Sequence, residues 1–381
     1  MATRRAFLIA GGAAVLVTGG YGFSVATRSL NPARAPWRAA GESFGDPRLD
    51  ALAYAVLAPN PHNKQPWRVR LEGEDAFTMF ADPDRLLPET DPPNRQIVIG
   101  FGCFLETFRI AAAEAGWRAE ITPFPEGEPQ PTLDNRPIAR ARLIADDGVA
   151  RDTLFAHILT RRTNREKYDE AAPSSEAFAA VEAAVVDHAQ FGRTVEASDV
   201  AWWRNLALDA WDVEFSTPRT WKESVDVTRI GAKAINENPD GIAISGPVME
   251  VLSDTRMITV EKMMTPGTSA HEQSRAFYAE AIKASPAFGW LTTGDNTRGT
   301  QLRTGAAWVR LQLAATGAGL ATHPLSQALQ EFPEMADLYA AAHDRLGVVA
   351  PGVVQGLFRF GYASAPAPAP RWPLEAALIP A

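Results

Sequence analysis

The chain has 381 residues, of which 37 are basic and 45 are acidic, and its formal net charge is −8 at pH 7. Nucleic acid is therefore excluded as a predicted partner, because binding it requires clustered Lys and Arg that neutralise phosphates. The single cysteine, Cys103, excludes an internal disulfide, and the six scattered histidines predict no metal site.

The first segment in chain order is an apolar N-terminus. Arg4 and Arg5 precede a run from Ala6 to Ala26 that contains no charged residue. This pattern is similar to a twin-arginine (Tat) export signal, and Ser24-Val25-Ala26 offers small residues suited to peptidase cleavage. The run is also close to the roughly 20 residues that span a bilayer, so a retained anchor is the alternative. We predict export by the Tat machinery, to the periplasm or the outer face of the cytoplasmic membrane.

A helical run from Pro47 to Leu57 leads into a proline-rich loop. The loop, residues 58–67, reads Ala-Pro-Asn-Pro-His-Asn-Lys-Gln-Pro-Trp. Pro59 lacks a backbone donor and ends the helix. Asn63 and Gln65 offer both donors and acceptors, the mixed polarity that can bind the edge of a heteroaromatic ring. An Asn/Pro turn without a ligand is the alternative.

This loop resembles the Pro-Ser-x-x-Asn-x-Gln-Pro-Trp signature of FMN-dependent nitroreductase-like oxidoreductases, in particular their Acg-family FMN-binding branch. In that family the loop lies against the flavin ring, so the resemblance implies FMN as cofactor. It also implies an α+β fold, a nitroreductase-like sandwich of a mostly antiparallel sheet flanked by helices. Asn60 stands where the family usually has serine. The cofactor-binding residues expected from this loop are Asn60, Pro61, His62, Asn63 and Gln65.

Two apolar segments repeat at a constant offset of 203 residues. Residues 102–117 and 305–320 share five identical positions, have helical apolar spacing and end near a glycine suited to a helix C-cap. Chance similarity is the alternative, because Ala and Gly are common in buried helices. A late strand in each half, Ala139–Ile144 and Val353–Tyr362, favours two fused nitroreductase-like halves that form a monomeric pseudo-dimer. The expected limits are 1–26 for the signal segment, 27–45 for a linker, 46–147 and 148–365 for the two halves, and 366–381 for a tail.

The second half opens with five polar residues, Arg161-Arg162-Thr163-Asn164-Arg165. Guanidinium groups match phosphate oxygens, and Arg161 and Arg165 would share a face on a helical turn. Thr163 could cap the following helix, and a basic helix end without a ligand is the alternative. The segment resembles the Arg-Arg-Ser-x-Arg segment with which the second subunit of nitroreductase homodimers binds the flavin phosphate. The resemblance implies one composite site that uses Arg161, Arg162, Thr163 and Arg165.

Two later segments complete the expected site. Ser326 and Gln327 occupy the place where family members bring a backbone N–H towards flavin N5. Arg371 resembles a C-terminal basic residue that contacts the flavin phosphate, with a solvent-exposed tail arginine as the alternative. His323 is a candidate proton donor, with a structural histidine as the alternative. No catalytic side chain is predicted, because the flavin carries the chemistry.

The resemblance implies an exported oxidoreductase that takes electrons from a small-molecule donor, with NAD(P)H as one candidate. FMN would pass them to a nitroaromatic, quinone or similar acceptor. Soluble NAD(P)H is scarce outside the cytoplasmic membrane, so a different donor stays open. Two other functions also stay open: an exported protein that binds or sequesters FMN without turnover, and an exported binding protein for an aromatic ligand.

Overall fold

The computed structural model describes residues 24–25, 27–185 and 189–380. The predicted export signal, residues 1–26, lies outside the described residues apart from Ser24 and Val25. The α-helices of the described residues are α1 Pro36–Ala39, α2 Pro47–Ala55, α3 Arg95–Glu114, α4 Ser175–Val185, α5 Ala197–Ser216, α6 Pro218–Asp226, α7 Gly231–Glu237, α8 Pro247–Asp254, α9 Val260–Met264, α10 Ser269–Lys283, α11 Arg298–Gly317 and α12 Ala336–Leu346.

The strands form two larger sheets, one in each predicted half. They are β1 Trp67–Glu72, β2 Ala76–Ala81, β3 Trp117–Pro123, β4 Ala139–Ala145, β5 Gln190–Thr194, β6 Thr228–Ile230, β7 Ile242–Ile244, β8 Ala287–Thr293, β9 Ala321–Pro324, β10 Val353–Gly361 and β11 Leu378–Ile379. The first sheet has the order β11-β1-β2-β4-β3, the second has the order β5-β8-β10-β9, and β6 pairs with β7. All pairs in the two larger sheets are antiparallel except β1 with β11. The predicted α+β class and the mostly antiparallel pairing are confirmed.

Side-chain alternation explains how the strands are covered. In β4, Ala139, Ala141 and Leu143 are buried while Arg140 and Arg142 are exposed, so one face of this strand packs on the core. All nine residues of β10 are buried. A strand that is buried along its whole length lies inside a sheet that is covered on both faces, and β10 indeed lies between β8 and β9.

The two repeated segments form the central helix pair, α3 and α11. Each helix has 20 residues, and their limits differ by the 203-residue offset seen in the sequence. Ile97, Phe101, Phe104 and Phe108 of α3 are fully buried. Among the described residues, α3 alone is long and apolar enough to cross a membrane, and it is buried in the core of this chain.

Contacts at the start of each central helix are reciprocal between the halves. Arg95 of α3 forms an ion pair of 2.7 Å with Glu331, which follows β9. At the equivalent position, the backbone N–H of Arg298 donates to Glu128, which follows β3, at 2.9 Å. Residues 95 and 298, like 128 and 331, differ by 203. A contact that recurs with its partners exchanged is the property of a two-fold interface.

Residues 28–40 and the C-terminal tail contact each other outside the helix pair. Residues 28–40, which we call the N-terminal strap, lie against the C-terminal tail, and the backbone N–H of Arg371 donates to Ala33 O at 2.8 Å. Beyond this contact, β11 pairs with β1, with Leu378 beside Val69. The last strand of the chain therefore completes the sheet of the first half.

Candidate cofactor-binding site

The 58–67 loop has an unusual backbone at three positions. His62, Asn63 and Gln65 have φ values of 47°, 54° and 51°. This left-handed region is uncommon for residues other than glycine, and each such residue costs on the order of 1–3 kcal/mol unless its surroundings hold it. The loop must therefore be fixed by specific contacts.

Amide side chains of the loop supply those contacts. Asn60 Oδ1 accepts a hydrogen bond of 2.7 Å from the backbone N–H of Gln65. The Gln65 side chain is 1% exposed; its Nε2 donates to Pro239 O at 2.9 Å and its Oε1 accepts from the backbone N–H of Trp372 at 3.0 Å. Gln65 thus joins the loop to the second half and to the C-terminal tail.

In the structure these side-chain amides form hydrogen bonds with other protein groups, whereas the sequence predicts that they bind a ligand. Asn63 Nδ2 donates to Pro370 O at 3.0 Å, and its Oδ1 accepts from Arg371. With both Asn63 and Gln65 engaged by protein groups, their role in binding a ring edge stays a prediction. Asn60 likewise donates to Ala58 O and holds the loop.

Three of the predicted arginines converge beside the C-terminal end of α2. Arg161 and Arg371 are 4% and 3% exposed, and both donate to Leu57 O, at 3.3 and 3.0 Å. Arg162 lies next to them, and its buried Nε has no hydrogen-bond partner. Carbonyl groups at a helix C-terminus attract cations, which explains part of this arrangement.

No carboxylate balances this arginine cluster, which consists of Arg161, Arg162 and Arg371. In the part of the chain that the structure describes, none of the three forms an ion pair. Burial, and next the charge of Arg162, lowers the pKa of Arg161 to about 10. Burial, with the charges of Arg161 and Arg162, also lowers the pKa of Arg371 well below its ordinary value. Because buried cations without a counter-charge are costly, the cluster fits an anionic group such as a phosphate.

Arg371 has fewer hydrogen-bond donors available for such an anion than the sequence predicts. Its guanidinium donates to the carbonyls of Val56, Leu57, Ala58 and Pro370 and to Asn63 Oδ1. These five bonds match the five N–H donors of a guanidinium group. Arg371 therefore holds the loop and adds charge, and its direct contact with a phosphate stays a prediction.

The segment 161–165 is irregular, so the predicted helical turn is wrong. Its residues have no helical assignment, and the next helix, α4, begins at Ser175. Arg161 consequently points into the core and Arg165 is exposed, so the two do not share a face. Thr163 caps no helix, and in the described residues its hydroxyl makes no hydrogen bond. Tertiary contacts outweigh helix formation here, because the Arg161 guanidinium group donates hydrogen bonds to Leu57 O and Gln312 Oε1 in the core.

Arg165 instead lies near a second group of residues that includes the 58–67 loop. Its charge lowers the pKa values of His62 and His323, in both cases after the larger effect of burial. The pKa of His62 falls to about 4, and its buried Nδ1 has no partner. The His323 ring lies 5.5 Å from the ring of Tyr278, edge to face. The charge of Arg165 thus acts on this second group of residues, while Arg161 lies beside other cations.

The predicted residue Gln327 also belongs to this second group. Gln327 Nε2 donates to Tyr278 Oη at 3.0 Å, and Ser326 precedes it at the start of a short 3-10 helix. On the buried side of Tyr278 lies Glu214, whose pKa burial raises to about 7. Glu214 accepts from Ser224 Oγ at 2.9 Å and from Gln330 Nε2 at 3.1 Å.

Sequence reasoning missed Tyr278, Glu214 and Arg359. Arg359 donates from Nε to His323 Nδ1 at 3.0 Å, which fixes His323 as neutral with its proton on Nε2. One signal was present: Glu214 lies on the apolar face of α5, beside the buried Ala210 and Trp211. A lone carboxylate on such a face indicates a polar site inside the core.

The most prominent surface cavity does not mark this site. A cavity of about 650 Å³ lies between α4 and α11, lined among others by Asp152, His157 and Arg310. Arg310 is already paired with Asp152 and Glu106 at 2.6 and 2.8 Å. None of the predicted site residues lines this cavity, so the chemistry of the donors locates the site better than the surface shape does.

Comparison with known proteins adds independent information. No protein-family model matches the chain. It is 28% identical over 334 residues to "Putative NAD(P)H nitroreductase acg" of Mycobacterium tuberculosis H37Rv, which covers 85% of this chain and 93% of that protein. It is also 28% identical over 349 residues to "Uncharacterized protein Rv3127" of the same strain, covering 86% and 92%. The relatives' names support the nitroreductase-like family.

Among solved structures, the chain is similar to the FMN-dependent nitroreductase NfnB from Mycobacterium smegmatis in complex with NADPH. The identity is 18%, the TM-score is 0.34, and the match covers 57% of this chain and 92% of that one.

Proposed function

We propose that this chain is an FMN-dependent oxidoreductase of the nitroreductase type, with one flavin held between the 58–67 loop and the 161–165 segment. The observation that carries this proposal is the buried arginine cluster without a carboxylate, next to a strained loop that has the family signature. The oxidoreductase prediction agrees with the name of the relative called NAD(P)H nitroreductase acg.

The 161–165 segment gives the site two ends. Arg161 and Arg162 lie at a cationic end suited to a phosphate, whereas the charge of Arg165 interacts with Tyr168 and Tyr278 at the other end. Four residue steps span at most about 14 Å, so one ligand can contact both ends. This arrangement supports a composite site built from both halves.

When bound, FMN would supply the hydride chemistry. The chain's own residues would position the bound ligand and polarise it. Arg359 holds His323 as a neutral ring whose Nε2 proton has no partner in the described residues, so His323 can donate a hydrogen bond to a ligand. His62 is also neutral at pH 7, because its pKa is about 4. Neither histidine is suited to act as a cationic acid at neutral pH.

Export, oligomeric state and substrates are further parts of the proposal. The twin arginines and the uncharged run support Tat export to the periplasm or the outer face of the cytoplasmic membrane. The reciprocal contacts of α3 and α11 support a monomeric pseudo-dimer with the halves 46–147 and 148–365. The names of the relatives support NAD(P)H as donor, and we propose a nitroaromatic or quinone as acceptor.

A second candidate is an exported protein that binds FMN without turnover. It is favoured by the segment around Pro239, which covers the loop: Gln65 donates to Pro239 O, and the backbone N–H of Gly241 donates to Asn63 O at 3.2 Å. A covered flavin would exclude substrates. The two candidates share the binding site and differ in access to it.

The test is the visible spectrum of the full chain after folding in the cytoplasm, followed by release and identification of the chromophore. We expect a flavin spectrum and released FMN. If the chain is an enzyme, NAD(P)H added without oxygen should bleach the flavin spectrum. A nitroaromatic or a quinone added next should restore it. An FMN protein that neither reagent changes would favour storage, and a colourless protein that takes up no FMN would contradict both candidates.

A further inference from the structure

We propose that the N-terminal strap completes the anion site, with Arg34 as a fourth cation and Trp37 as its cover, and so retains the phosphate end of the cofactor. This inference rests on the proposed function. It adds residues from outside both predicted halves, in the segment that sequence reasoning treated as a linker.

The strap is fixed in place on both sides. On the tail side, Arg34 Nε donates to Pro368 O and Trp37 Nε1 donates to Ala369 O, each at 2.8 Å. On the other side, Asn236 of α7 accepts from the backbone N–H of Ala33 at 3.2 Å and donates to Ser29 O at 2.9 Å. These bonds hold the strap in a defined position across the arginine cluster.

Trp37 covers two members of that cluster. It is 7% exposed, and its ring centroid lies 4.7 Å from the guanidinium carbon of Arg162 and 5.7 Å from that of Arg371. Both distances are within the range of cation–π attraction. The indole therefore excludes water from the guanidinium groups on the strap side.

Arg34 brings another positive charge to a cluster that already lacks a counter-charge. It is half-buried, burial lowers its pKa, and its charge lowers the pKa of Arg162. In the described residues, its Nη1 and Nη2 make no hydrogen bond and it forms no ion pair. Repulsion would favour turning Arg34 outwards into solvent. An anion shared with Arg161 and Arg162 removes that repulsion and uses the open donors.

A phosphate group is the anion that this geometry fits. Several guanidinium groups converge, and paired N–H donors match phosphate oxygens. Riboflavin, which is FMN without the phosphate, should lack this contact and be bound through the ring end alone. The ratio of FMN affinity to riboflavin affinity therefore measures the phosphate contact, and the change of that ratio in an Arg34 variant isolates the contribution of Arg34.

The experiment measures the affinity of the flavin-free full chain for FMN and for riboflavin by quenching of flavin fluorescence. The variants are Arg34→Ala, Arg34→Lys and, as the matched control, Arg38→Ala, an exposed arginine of the same strap. For Arg34→Ala we expect FMN affinity to fall about tenfold, the size of one hydrogen bond to a charged group, with unchanged riboflavin affinity. Arg34→Lys should recover part of the loss, and Arg38→Ala should change neither affinity.

Release of FMN from the flavin-loaded chain tests the cover. Trp37→Leu should speed FMN release at least severalfold, with thermal unfolding of the flavin-free chain as the check on folding. Equal losses for FMN and riboflavin in Arg34→Ala, or no loss, would overturn the inference and leave the proposed function standing. A wild-type chain that binds FMN no better than riboflavin would overturn it too. A wild-type chain that binds neither flavin would contradict the proposed function itself.

Discussion

Gly102 and Gly305 contact each other where α3 crosses α11. A Cβ added to Gly102 would lie 2.1 Å from Leu302 O, and one added to Gly305 would lie 2.2 Å from Ile99 O. Both pairs keep the 203-residue offset, so each half presents the same surface to the other. The crossing is this close because neither helix has a side chain there.

The first prediction concerns this crossing. Gly102→Ala and Gly305→Ala should each lower the free energy of unfolding by at least about 2 kcal/mol, because the new methyl group meets rigid backbone. Urea denaturation measures the effect. Gly299→Ala is the control, since its Cβ would meet only the flexible ends of side chains, Glu128 Oε1 at 3.2 Å and Arg303 Nη1 at 3.7 Å. Tolerance of alanine at residues 102 and 305 would contradict the close crossing.

The second prediction concerns the loop. Gln65→Ala should lower the free energy of unfolding by about 2 kcal/mol, since it leaves Pro239 O and the N–H of Trp372 without their partner. FMN affinity should fall with it, because the strained backbone loses its support. Lys64→Ala is the control, because the side chain of Lys64 makes no hydrogen bond within the described residues, and its backbone N–H keeps its bond to Pro61 O. Equal stability of the two variants would mean that Gln65 does not hold the loop.

The third prediction concerns pH. Burial raises the pKa of Glu214 to about 7, above its ordinary value of 4.5, so the folded state binds this proton more tightly than the unfolded state. The stability that this proton contributes is complete below about pH 4.5 and is lost as the pH rises to about 7. The loss is at most about 3 kcal/mol. Glu214→Gln should flatten the dependence of unfolding free energy on pH in this window.

Asp91 remains as a second contributor in that variant. Burial also raises its pKa to about 7, so the slope should be reduced rather than abolished. Among other titratable groups, the charge of Glu223 raises the pKa of Glu214, and the charge of Glu214 raises the pKa of Tyr278. An unchanged slope in Glu214→Gln would mean that Glu214 titrates normally.

The fourth prediction uses an inorganic anion. Phosphate should raise the unfolding temperature of the flavin-free chain in a concentration-dependent way, because it binds the folded arginine cluster and not the unfolded chain. Chloride at equal ionic strength is the control for general salt effects. Arg162→Gln should weaken the response, since Arg162 has an unpaired buried Nε. Equal shifts in phosphate and chloride would argue against an anion site.

Local patterns in the sequence predicted the elements well. The apolar spacing of residues 101–112 predicted α3, and the offset predicted α11 with matching limits. The proline at residue 59 and the alternation after Trp67 located the loop and β1. Each of these predictions depends on residues that are close to one another in the sequence.

The candidate site was harder to predict because its contacts are distant in sequence. The Asn63 amide is bound by Arg371, 308 residues away, and Trp37 covers Arg162 from the strap. No local sequence pattern shows whether a side-chain amide will form its hydrogen bonds with another protein group or with a ligand. The same limit explains why the predicted helical turn at Arg161 and Arg165 is wrong. The spacing of the arginines favours a helix, but the bonds of Arg161 to Leu57 and Gln312 are distant in sequence.

The position of Arg371 sets an order of events during biosynthesis. Arg371 and β11 lie among the last eleven residues of the chain, and they hold the loop that follows the first helix of the first half. The loop therefore cannot reach its final shape while the ribosome is still making the tail. Capture of a cofactor must wait until the residues up to Ile379 have left the ribosome, and a chain truncated before Arg371 should have an unfinished site some 300 residues earlier in the sequence.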